Sequence, residues 1–441
     1  MTDNKQALLA VCTDLQEPSE RAALEIGRLA ELPLQEYESA ALLKDALIRE
    51  GFTIEREFPR IPNAFVACSG SGGPVIGLLA EYDALPDCGV GGKGPGHGCG
   101  HNLLGSGAVY AAVAAARHLA ALGLPGTVKL FGCPAEETLV GKVYMARDGA
   151  LDDLDACLAW HPGGGTNANN GSGAAMDSLT YEFFGRTAHA AGDPQNGRSA
   201  LDAVEIMNVA VNFLREHVPS NVRIHYAIMD GGKAPNVVPA YARSWYYIRG
   251  EERDQVADVS ARVDRCARGA ALATETTMKR RILTAVYNRL PNDALARALD
   301  ANLREIGAPE FSPEDQRLAK DLGVAGEFAD AVKEINTSKG FASSDEADVS
   351  WITPMTVLSV ACWAQGTPGH HHLIHQQATL PAAMKGLAVA VRALALTAWD
   401  LLVDPDLLAS ARAEFTERLD GRTYQPIIPA RQRPPVQDRI P

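Results

Sequence analysis

The 441-residue sequence lacks several features that mark particular classes of protein. It has no stretch of about 20 consecutive apolar residues, which argues against a membrane-spanning helix. It has no dense run of lysine or arginine, and its net charge is -13, so the basic surface of a nucleic-acid-binding protein is missing. Its first turns mix acids and bases without the apolar core of a secretion signal. We therefore expect a cytoplasmic protein with no nucleic-acid or membrane partner.

Cysteines are few, and their positions show no regular spacing. The eight cysteines do not form the pattern of a disulfide framework, so we expect free thiols in a reducing compartment. Only Cys99 lies among other residues that bind metals, two positions from His97 and two from His101.

Short apolar runs alternate with helical stretches in the first part of the chain. Two amphipathic helices are predicted within residues 5–50, followed by strands near 74–79, 127–131 and 156–160. A long alanine-rich helix is predicted at 102–122. This alternation is typical of an α/β sheet with helices on its faces.

The pattern changes in the middle of the chain. Strand-like segments then surround helical stretches at 199–217 and 251–271, which predicts a separate α+β unit, here called the inserted domain. The α/β pattern resumes afterwards and ends in a long apolar helix before residue 403. We therefore predict an α/β fold with a discontinuous catalytic domain (1–177 and 289–424), an inserted domain (178–288) and a proline-rich tail (425–441) that lies extended on the surface.

The segment His97-Gly-Cys-Gly-His-Asn102 is the most informative part of the sequence. Residues two apart in an extended chain point the same way, so Cys99 and His101 can face one metal ion. Alone, the segment fits equally well with a buried small thiol and a hydrogen-bonded core histidine.

Polar side chains also follow two predicted strands. Glu136 and Glu137 come directly after one strand, at the sheet edge where open α/β folds collect their ligands, and His161 follows the next. The alternatives are a solvated first helical turn for the two acids and a structural histidine. A third loop carries His370, beside histidines 371, 372 and 375 that bind metal only adventitiously. Taken together, these loops supply enough ligands for two ions that share one of them.

Eight motifs occur in an order that resembles a known family. They are AEYDALP (80–86), GHGCGHN (96–102), PAEE (134–137), WHP (160–162), GRTAHAA (185–191), NVVPAYA (236–242), SSDEADVSW (343–351) and GTPGH (366–370). Together they resemble the aminoacylase/carboxypeptidase-type metallopeptidases, in the branch of p-aminobenzoyl-glutamate hydrolase subunits and indole-acetyl-amino-acid amidohydrolases. The resemblance implies a di-metal catalytic domain interrupted by a lid domain through which the protein forms a homodimer.

The resemblance also implies a set of metal ligands. Carried over residue by residue, these are Cys99 as the bridging ligand, with His101, Glu137, His161 and His370. They would hold two divalent ions, zinc or manganese.

Other roles follow from the same resemblance. Glu136 would be the general base that takes a proton from water and delivers it to the leaving amine. His189 would stabilise the oxyanion in the neighbouring subunit's site. Asn236 and Arg249 would bind substrate, with Arg243 competing for the role of Arg249.

Residues near the ligands either match the family or depart from it. Asp83 would orient a metal ligand, as its counterpart does in the family. Glu81 stands where some branches carry a ligand histidine, and Ser344 and Ala347 replace the usual threonine and glycine. The departures at Ser344 and Ala347 bear on substrate selection more than on mechanism, whereas Glu81 means that the ligands must come from Cys99 and His101 instead.

The predicted function is hydrolysis of the amide bond in a small N-acyl or aryl-acyl amino acid or a dipeptide-like substrate. The alternatives are a true dipeptidase and a catalytically weak partner subunit of a larger amidohydrolase. A hydrolase with Cys99 as nucleophile is less favoured, because a thiolate among histidines and glutamates is better explained as a ligand.

Overall fold

The computed structural model describes residues 1–435, so the end of the predicted tail, 436–441, lies outside the described residues. The helices are α1 (Asp3–Asp14), α2 (Gln16–Leu29), α3 (Tyr37–Arg49), α4 (His101–Ala121), α5 (Gly141–Arg147), α6 (Ala200–Leu214), α7 (Arg253–Ala273), α8 (Asp293–Ile306), α9 (Pro313–Asp321), α10 (Glu346–Val349), α11 (His372–Gln377), α12 (Pro381–Val403) and α13 (Pro405–Leu419). The strands are β1 (Thr53–Glu57), β2 (Phe65–Ser71), β3 (Val75–Glu81), β4 (Gly126–Cys133), β5 (Ala156–Gly163), β6 (Asn167–Asn169), β7 (Ala175–Phe184), β8 (Arg223–Asp230), β9 (Tyr241–Gly250), β10 (Thr277–Val286) and β11 (Met355–Ala361).

A seven-stranded sheet organises the larger part of the molecule. Its order is β1-β2-β4-β3-β5-β11-β6, and its middle strands β4, β3, β5 and β11 run parallel. The outer strands pair antiparallel with their neighbours. The carboxyl ends of the parallel strands therefore meet at one edge of the sheet, where ligand sites of such folds form.

Two long apolar helices fill the layer on one face of this sheet. Helices α4 and α12 pack against each other and against α1, α2 and α8, around residues such as Val109, Leu387 and Leu394. Both are apolar and long enough to cross a membrane by length and composition alone. Their apolar windows are 89% and 78% buried inside the protein, which is the behaviour of core helices.

A second, four-stranded antiparallel sheet has the order β10-β7-β9-β8. Helices α6 and α7 cover one face, since Tyr246 of β9 donates to Asn208 of α6 and Tyr181 of β7 donates to Asp264 of α7. Alternation along β9 leaves its odd-numbered side chains on the other, open face. These elements span residues 175–286. The chain segments before and after them both contribute strands to the larger sheet.

The structure refines several local predictions. Three helices rather than two occupy the first 50 residues, because the first predicted helix is interrupted at Leu15. The tail up to residue 435 forms no helix or strand, as expected of its prolines, but it does not simply lie on the surface. Ile428 is 2% exposed, and the Tyr424 hydroxyl donates to Asp348 at 2.7 Å.

Candidate metal and catalytic site

Side chains from four separate loops converge at the carboxyl edge of the parallel strands. Asp83 follows β3, Glu136 and Glu137 follow β4, and His161 lies near the end of β5. The amino terminus of α4 brings in His101, two residues after Cys99. The buried strands end at the same level of the sheet, so the turns after them place these side chains together.

Five predicted ligands form one cluster, called here the metal-ligand cluster: Cys99, His101, Glu137, His161 and His370. The Cys99 Sγ lies 3.3 Å from His161 Nε2, and His370 Nε2 lies 3.4 Å from a Glu137 oxygen. Donor atoms of Cys99, His101 and His161 all lie within 4.8 Å of one another, and so do those of Cys99, Glu137 and His370. The cluster thus contains two potential three-ligand sites that share the Cys99 sulfur.

Hydrogen bonds fix the orientation of two of the histidines. The Nδ1 atom of His101 lies 2.8 Å from Asp83, and the Nδ1 atom of His161 donates to the Pro162 carbonyl at 2.6 Å. In both rings Nε2 is left to face the cluster. The second Asp83 oxygen accepts the Glu137 backbone N–H at 2.9 Å, so this carboxylate positions two ligands at once.

Two buried atoms of the cluster have no hydrogen-bond partner among the described residues. They are His101 Nε2 and Glu137 Oε1. An unpaired polar atom in a protein interior is unfavourable, so these donor atoms fit a bound cation. The sulfur, imidazole and carboxylate donors suit zinc, and the carboxylate and imidazoles also suit manganese.

Burial shifts the protonation of the cluster. It raises the pKa of the Cys99 thiol to about 12 and that of Glu137 to about 7. Burial acts to lower the pKa of His101, but the negative charges of Asp83 and Cys99 raise it well above its usual range. Protons and cations compete for the same sites, so a bound divalent ion would favour the deprotonated ligands.

Glu136 lies beside the cluster, and its carboxylate forms a third group of donor atoms within 4.8 Å of one another with Glu81 and His101. The Glu136 Oε2 is 3.8 Å from His101 Nε2, and its side chain is 12% exposed. Burial, followed by the negative charge of Glu81, raises its pKa well above the ordinary value for glutamate. A carboxyl group that readily holds a proton in this position suits a general base that later acts as an acid.

A buried network of two acids and one lysine supports this region. The Lys142 Nζ lies 2.8 Å from Glu81 and also pairs with Asp345, and all three side chains are at most 5% exposed. The other Glu81 oxygen is 3.4 Å from His101 Nε2. We call Glu81, Lys142 and Asp345 the acid–lysine network. Of the charged groups that most affect the pKa of Glu136, Lys142 and His101 are the two that lower it.

The turn that carries the two glutamates has an unusual backbone. Ala135 (φ 58°) and Leu139 (φ 57°) both adopt left-handed conformations on either side of it. The buried Glu36 carboxylate accepts the Ala135 N–H at 2.8 Å and holds the turn in place. Left-handed non-glycine residues are strained, and such strain collects at functional sites.

The remaining histidines of the predicted motifs have structural contacts. The His97 Nε2 lies 3.0 Å from the Ile26 carbonyl, so its ring faces α2. His375 Nδ1 accepts the His97 backbone N–H at 3.1 Å. His371 caps α11 by accepting the Leu373 N–H.

His189 and Asn236 lie together, away from the metal-ligand cluster. The Asn236 carbonyl accepts the Ala190 N–H at 3.0 Å, and both predicted residues are exposed on the inserted domain. The His189 Nδ1 accepts the N–H groups of Ala191 and Gly192 at 3.2 and 3.0 Å. The neutral ring therefore carries its proton on Nε2, as a free donor.

The two candidate arginines occupy opposite ends of β9. Arg249 lies at the end that meets the catalytic domain, where Nη1 donates to the Phe341 carbonyl and the Ser343 hydroxyl at 3.3 and 3.2 Å. Arg243 lies six residues away, about 20 Å along an extended strand. Ser343 precedes Asp345 of the acid–lysine network by two residues. The geometry thus favours Arg249 over Arg243 as the arginine near the cluster.

Three residues of the site were not predicted from the sequence: Lys142, Asp345 and Glu36. Each is a buried charge, and Glu36 and Asp345 lie far in sequence from the ligands, whereas Lys142 follows Glu137 by five residues. The available signal was a lysine within an otherwise apolar helix, between Gly141 and Val143. The sequence contains no indication of which acids it would meet.

Comparison with known proteins agrees with this geometry. Residues 77–396 match the profile of Peptidase family M20/M25/M40. The chain is 38% identical to one of the subunits of the p-aminobenzoyl-glutamate hydrolase of Escherichia coli, over 90% of this chain and 92% of that protein. It is 30% identical to the Xaa-Arg dipeptidase of Mus musculus, over 78% of this chain and 74% of the relative.

A solved structure shares the fold. It is a dinuclear metal binding peptidase of the M20 family from Bacillus subtilis, with a TM-score of 0.57 and 19% identity, covering 88% of this chain and 99% of that one. The predicted family and fold class are therefore confirmed. The chain belongs to Peptidase family M20/M25/M40 and is a metal-dependent amidohydrolase or peptidase.

Proposed function

We propose that this protein hydrolyses the amide bond of a small N-acyl or aryl-acyl amino acid, with two divalent cations held by the metal-ligand cluster. The observation that carries the proposal is the pair of three-ligand groups that share Cys99, beside the Glu136 carboxyl group, which belongs to neither of them. The relative from Escherichia coli acts on such a compound by its name.

The ligands divide into two groups in the proposed enzyme. Cys99, His101 and His161 would hold one ion, and Cys99, Glu137 and His370 the other. Bound zinc or manganese would polarise the amide carbonyl and lower the pKa of a water molecule. Asp83 keeps His101 and the Glu137 backbone in place during the reaction.

Glu136 performs the proton transfers. Its carboxylate accepts a proton from the attacking water and donates it to the nitrogen of the leaving amine, so that the carboxylate is regenerated. Its position beside His101 but outside both ligand groups leaves its oxygens available for this role. Arg249 binds the carboxylate of the substrate's amino acid by charge-assisted hydrogen bonds.

The active enzyme in this proposal is a homodimer. Within one chain His189 lies near the start of β9 and Arg249 near its end, about 30 Å apart along the strand. The edge strand β8 runs antiparallel to β9. A second copy that pairs β8 with β8 about a two-fold axis would bring His189 of the partner subunit to the Arg249 end, where its Nε2–H can stabilise the oxyanion.

An exposed apolar surface beside β8 supports this dimer. Ile206, Val209 and Phe213 project from α6 and are 42%, 53% and 73% exposed, and Ile228 of β8 is 47% exposed. An exposed apolar patch next to an unpaired strand edge is characteristic of a protein interface. A reducing, cytoplasmic location belongs to the same proposal, because oxidation of Cys99 would remove the shared ligand.

A dipeptidase is the second candidate. The Xaa-Arg dipeptidase relative is 30% identical over most of its length, so its activity is a specific alternative for the same site. A dipeptidase must also recognise the free amine of its substrate.

Release of free amine from a panel of N-acyl amino acids and dipeptides tests the proposal. Purified protein is assayed before and after chelation and again after addition of zinc or manganese, with Glu136→Gln as the catalytic variant. Turnover that needs both metal and Glu136 supports the hydrolase. Metal binding without turnover by the purified chain would favour the partner-subunit alternative instead.

A further inference from the structure

One buried carboxylate, that of Glu81, lies between a lysine and a predicted metal ligand. One of its oxygens is 2.8 Å from Lys142 Nζ, and the other is 3.4 Å from His101 Nε2. The second distance is too long for a strong hydrogen bond, and His101 Nε2 has no hydrogen-bond partner among the described residues. Glu81 is therefore paired with the lysine through one oxygen, while its other oxygen lies close to a donor atom of the metal-ligand cluster.

Glu81 has the chemistry and the position of a further metal ligand. A carboxylate oxygen is an ordinary ligand of zinc. Donor atoms of Glu81, His101 and Glu136 all lie within 4.8 Å of one another, so this group can hold a cation as the two groups around Cys99 can. Because His101 belongs both to this group and to one of the Cys99 groups, an ion that binds His101 lies near Glu81 as well.

A fourth protein ligand would change what that ion can do. In the proposed enzyme, Cys99, His101 and His161 hold one ion, called here the first ion, and leave one position of a four-coordinate zinc open. Catalytic zinc sites keep such a position for water or substrate, whereas structural sites fill it with a fourth side chain. Binding of Glu81 would make the first ion structural. Hydrolysis therefore requires that Glu81 stays outside the ligand set.

Lys142 is fixed in the place where it pairs with Glu81. Its backbone N–H donates to Asp345 at 2.8 Å, and its Nζ pairs with the same carboxylate. The preceding residue, Gly141, packs so closely against the turn that carries Glu136 and Glu137 that a Cβ there would clash with the Pro134 carbonyl oxygen. The first residues of α5 are therefore held in a fixed relation to that turn.

The acid–lysine network is poorly explained by stability alone. Its three side chains are at most 5% exposed, and two acids share one lysine. Replacing a buried ion pair with apolar side chains of similar volume is often neutral or stabilising, so such a pair is weak evidence of a stabilising role. The specific effect of Lys142 is to give Glu81 a cationic partner, which competes with a divalent cation for the same carboxylate.

We propose that Lys142 is a positioning residue that keeps Glu81 out of the ligand set and so preserves the open coordination position of the first ion. The inference rests on the proposed function, because it concerns an ion site of the same enzyme. Lys142 acts through Glu81 alone. In its absence Glu81 binds the first ion, and the position for water or substrate is lost.

Two double variants test the proposal at constant charge. Lys142→Met/Asp345→Asn leaves Glu81 as the remaining acid of the network, and Lys142→Met/Glu81→Gln leaves Asp345. The wild-type network has two carboxylates and one ammonium group, a net charge of -1, and each double variant keeps one carboxylate and the same net charge. A difference between the two variants therefore depends on which carboxylate remains and not on the loss of a positive charge.

Azide binding to the cobalt-loaded proteins, followed by the visible absorption of cobalt, reports an open coordination position. We expect the wild-type protein and Lys142→Met/Glu81→Gln to bind azide with Kd values within about threefold of each other. Lys142→Met/Asp345→Asn should bind it at least about tenfold more weakly. In crystals of the zinc-loaded proteins, a Glu81 oxygen should lie about 2.0–2.2 Å from the first ion in Lys142→Met/Asp345→Asn and beyond bonding distance in the wild type.

Equal azide affinities of the two double variants would overturn the proposal. So would a bond between Glu81 and the first ion in the wild-type crystal, a result that does not depend on the folding of any variant. Hydrolysis is measured separately on the same proteins. If no substrate is cleaved but the double variants differ as expected, the proposed function fails and the assignment of Lys142 holds. Turnover by the wild type without any difference between the double variants would refute the assignment and leave the hydrolase intact.

Discussion

The metal-ligand cluster and the loop that carries His189 differ in how they are supported. His101 in the cluster is fully buried, and its Nδ1 atom is held by Asp83, which also binds the Glu137 backbone. His189 is exposed, and its side chain hydrogen-bonds to backbone N–H groups of its own loop. All five residues of the metal-ligand cluster come from one chain. In the second region, His189 Nε2 has no hydrogen-bond partner among the described residues, which is what the proposed role in another subunit requires.

The largest effect is expected from removing the ligand that the two ion sites share. Cys99→Ala should lower kcat on the order of 10³-fold or more, because both sites lose a donor. Metal analysis after dialysis should find fewer than two tightly bound ions per chain. Cys12→Ala is the control, since that thiol is also buried but lies in the apolar core, outside the cluster. Two tightly bound ions in Cys99→Ala would contradict the shared-ligand assignment.

The next effect concerns the buried charges beneath the cluster. Lys142→Met leaves Glu81 and Asp345 buried without their cation, which should lower the free energy of unfolding by about 3–5 kcal/mol. Denaturant unfolding measures this change. Lys142→Arg should recover part of the loss, whereas Lys129→Met should have a smaller effect, because its partners Glu55 and Asp153 are 44% and 56% exposed and can be solvated. Equal losses for Lys142→Met and Lys129→Met would show that the acid–lysine network stabilises the fold no more than the Lys129 ion pairs do.

A third prediction addresses the exposed region directly. His189→Ala should lower kcat by about 10²–10³-fold, the usual effect of removing an oxyanion donor. Mixing His189→Ala with Glu136→Gln should restore about a quarter of wild-type activity, because each mixed dimer contains one intact site. Neither variant alone would reach this level. If mixing after exchange of subunits restores nothing, His189 does not act across a dimer interface.

The smallest effect is a pH dependence that originates in the buried region. Burial raises the pKa of Asp348 to about 7, so the folded protein holds this proton more tightly than the unfolded chain. The stability it contributes is therefore complete below about pH 4 and is lost as pH rises through about 7, at up to about 1.4 kcal/mol per pH unit. Asp348→Asn should reduce the dependence of the unfolding free energy on pH across this window. His189→Ala should leave that dependence unchanged. An unaltered pH profile in Asp348→Asn would refute the shift.

The sequence predicted the parts of the fold that depend on local pattern. Helix α4 and strands β3, β4 and β5 were predicted within a few residues, because continuous apolar runs between turn residues identify buried elements. Strand β1 was not predicted, since its exposed TIERE sequence has no apolar face and its pairing with β2 is determined elsewhere. Edge strands of this kind depend on tertiary context.

The candidate site follows the same division. Motif residues such as His101 and Glu137 could be identified as candidates from the sequence, because each stands at the end of a strand or the start of a helix, while their roles as ligands came from the family resemblance. Lys142 and Asp345 could not, since their pairing joins residues 203 positions apart. The pairing of Arg223 with Arg249 also required the structure, because only the register of β8 against β9 places these two arginines opposite each other.

The central claim is that one sulfur atom, that of Cys99, joins two cation sites. Anomalous X-ray diffraction from crystals of the zinc-loaded protein, collected on either side of the zinc absorption edge, tests it most directly. The account predicts two anomalous peaks, each about 2.3 Å from the Cys99 sulfur, with His101 and His161 beside one and Glu137 and His370 beside the other. A single peak, or two peaks of which one lies beyond bonding distance of that sulfur, would contradict it.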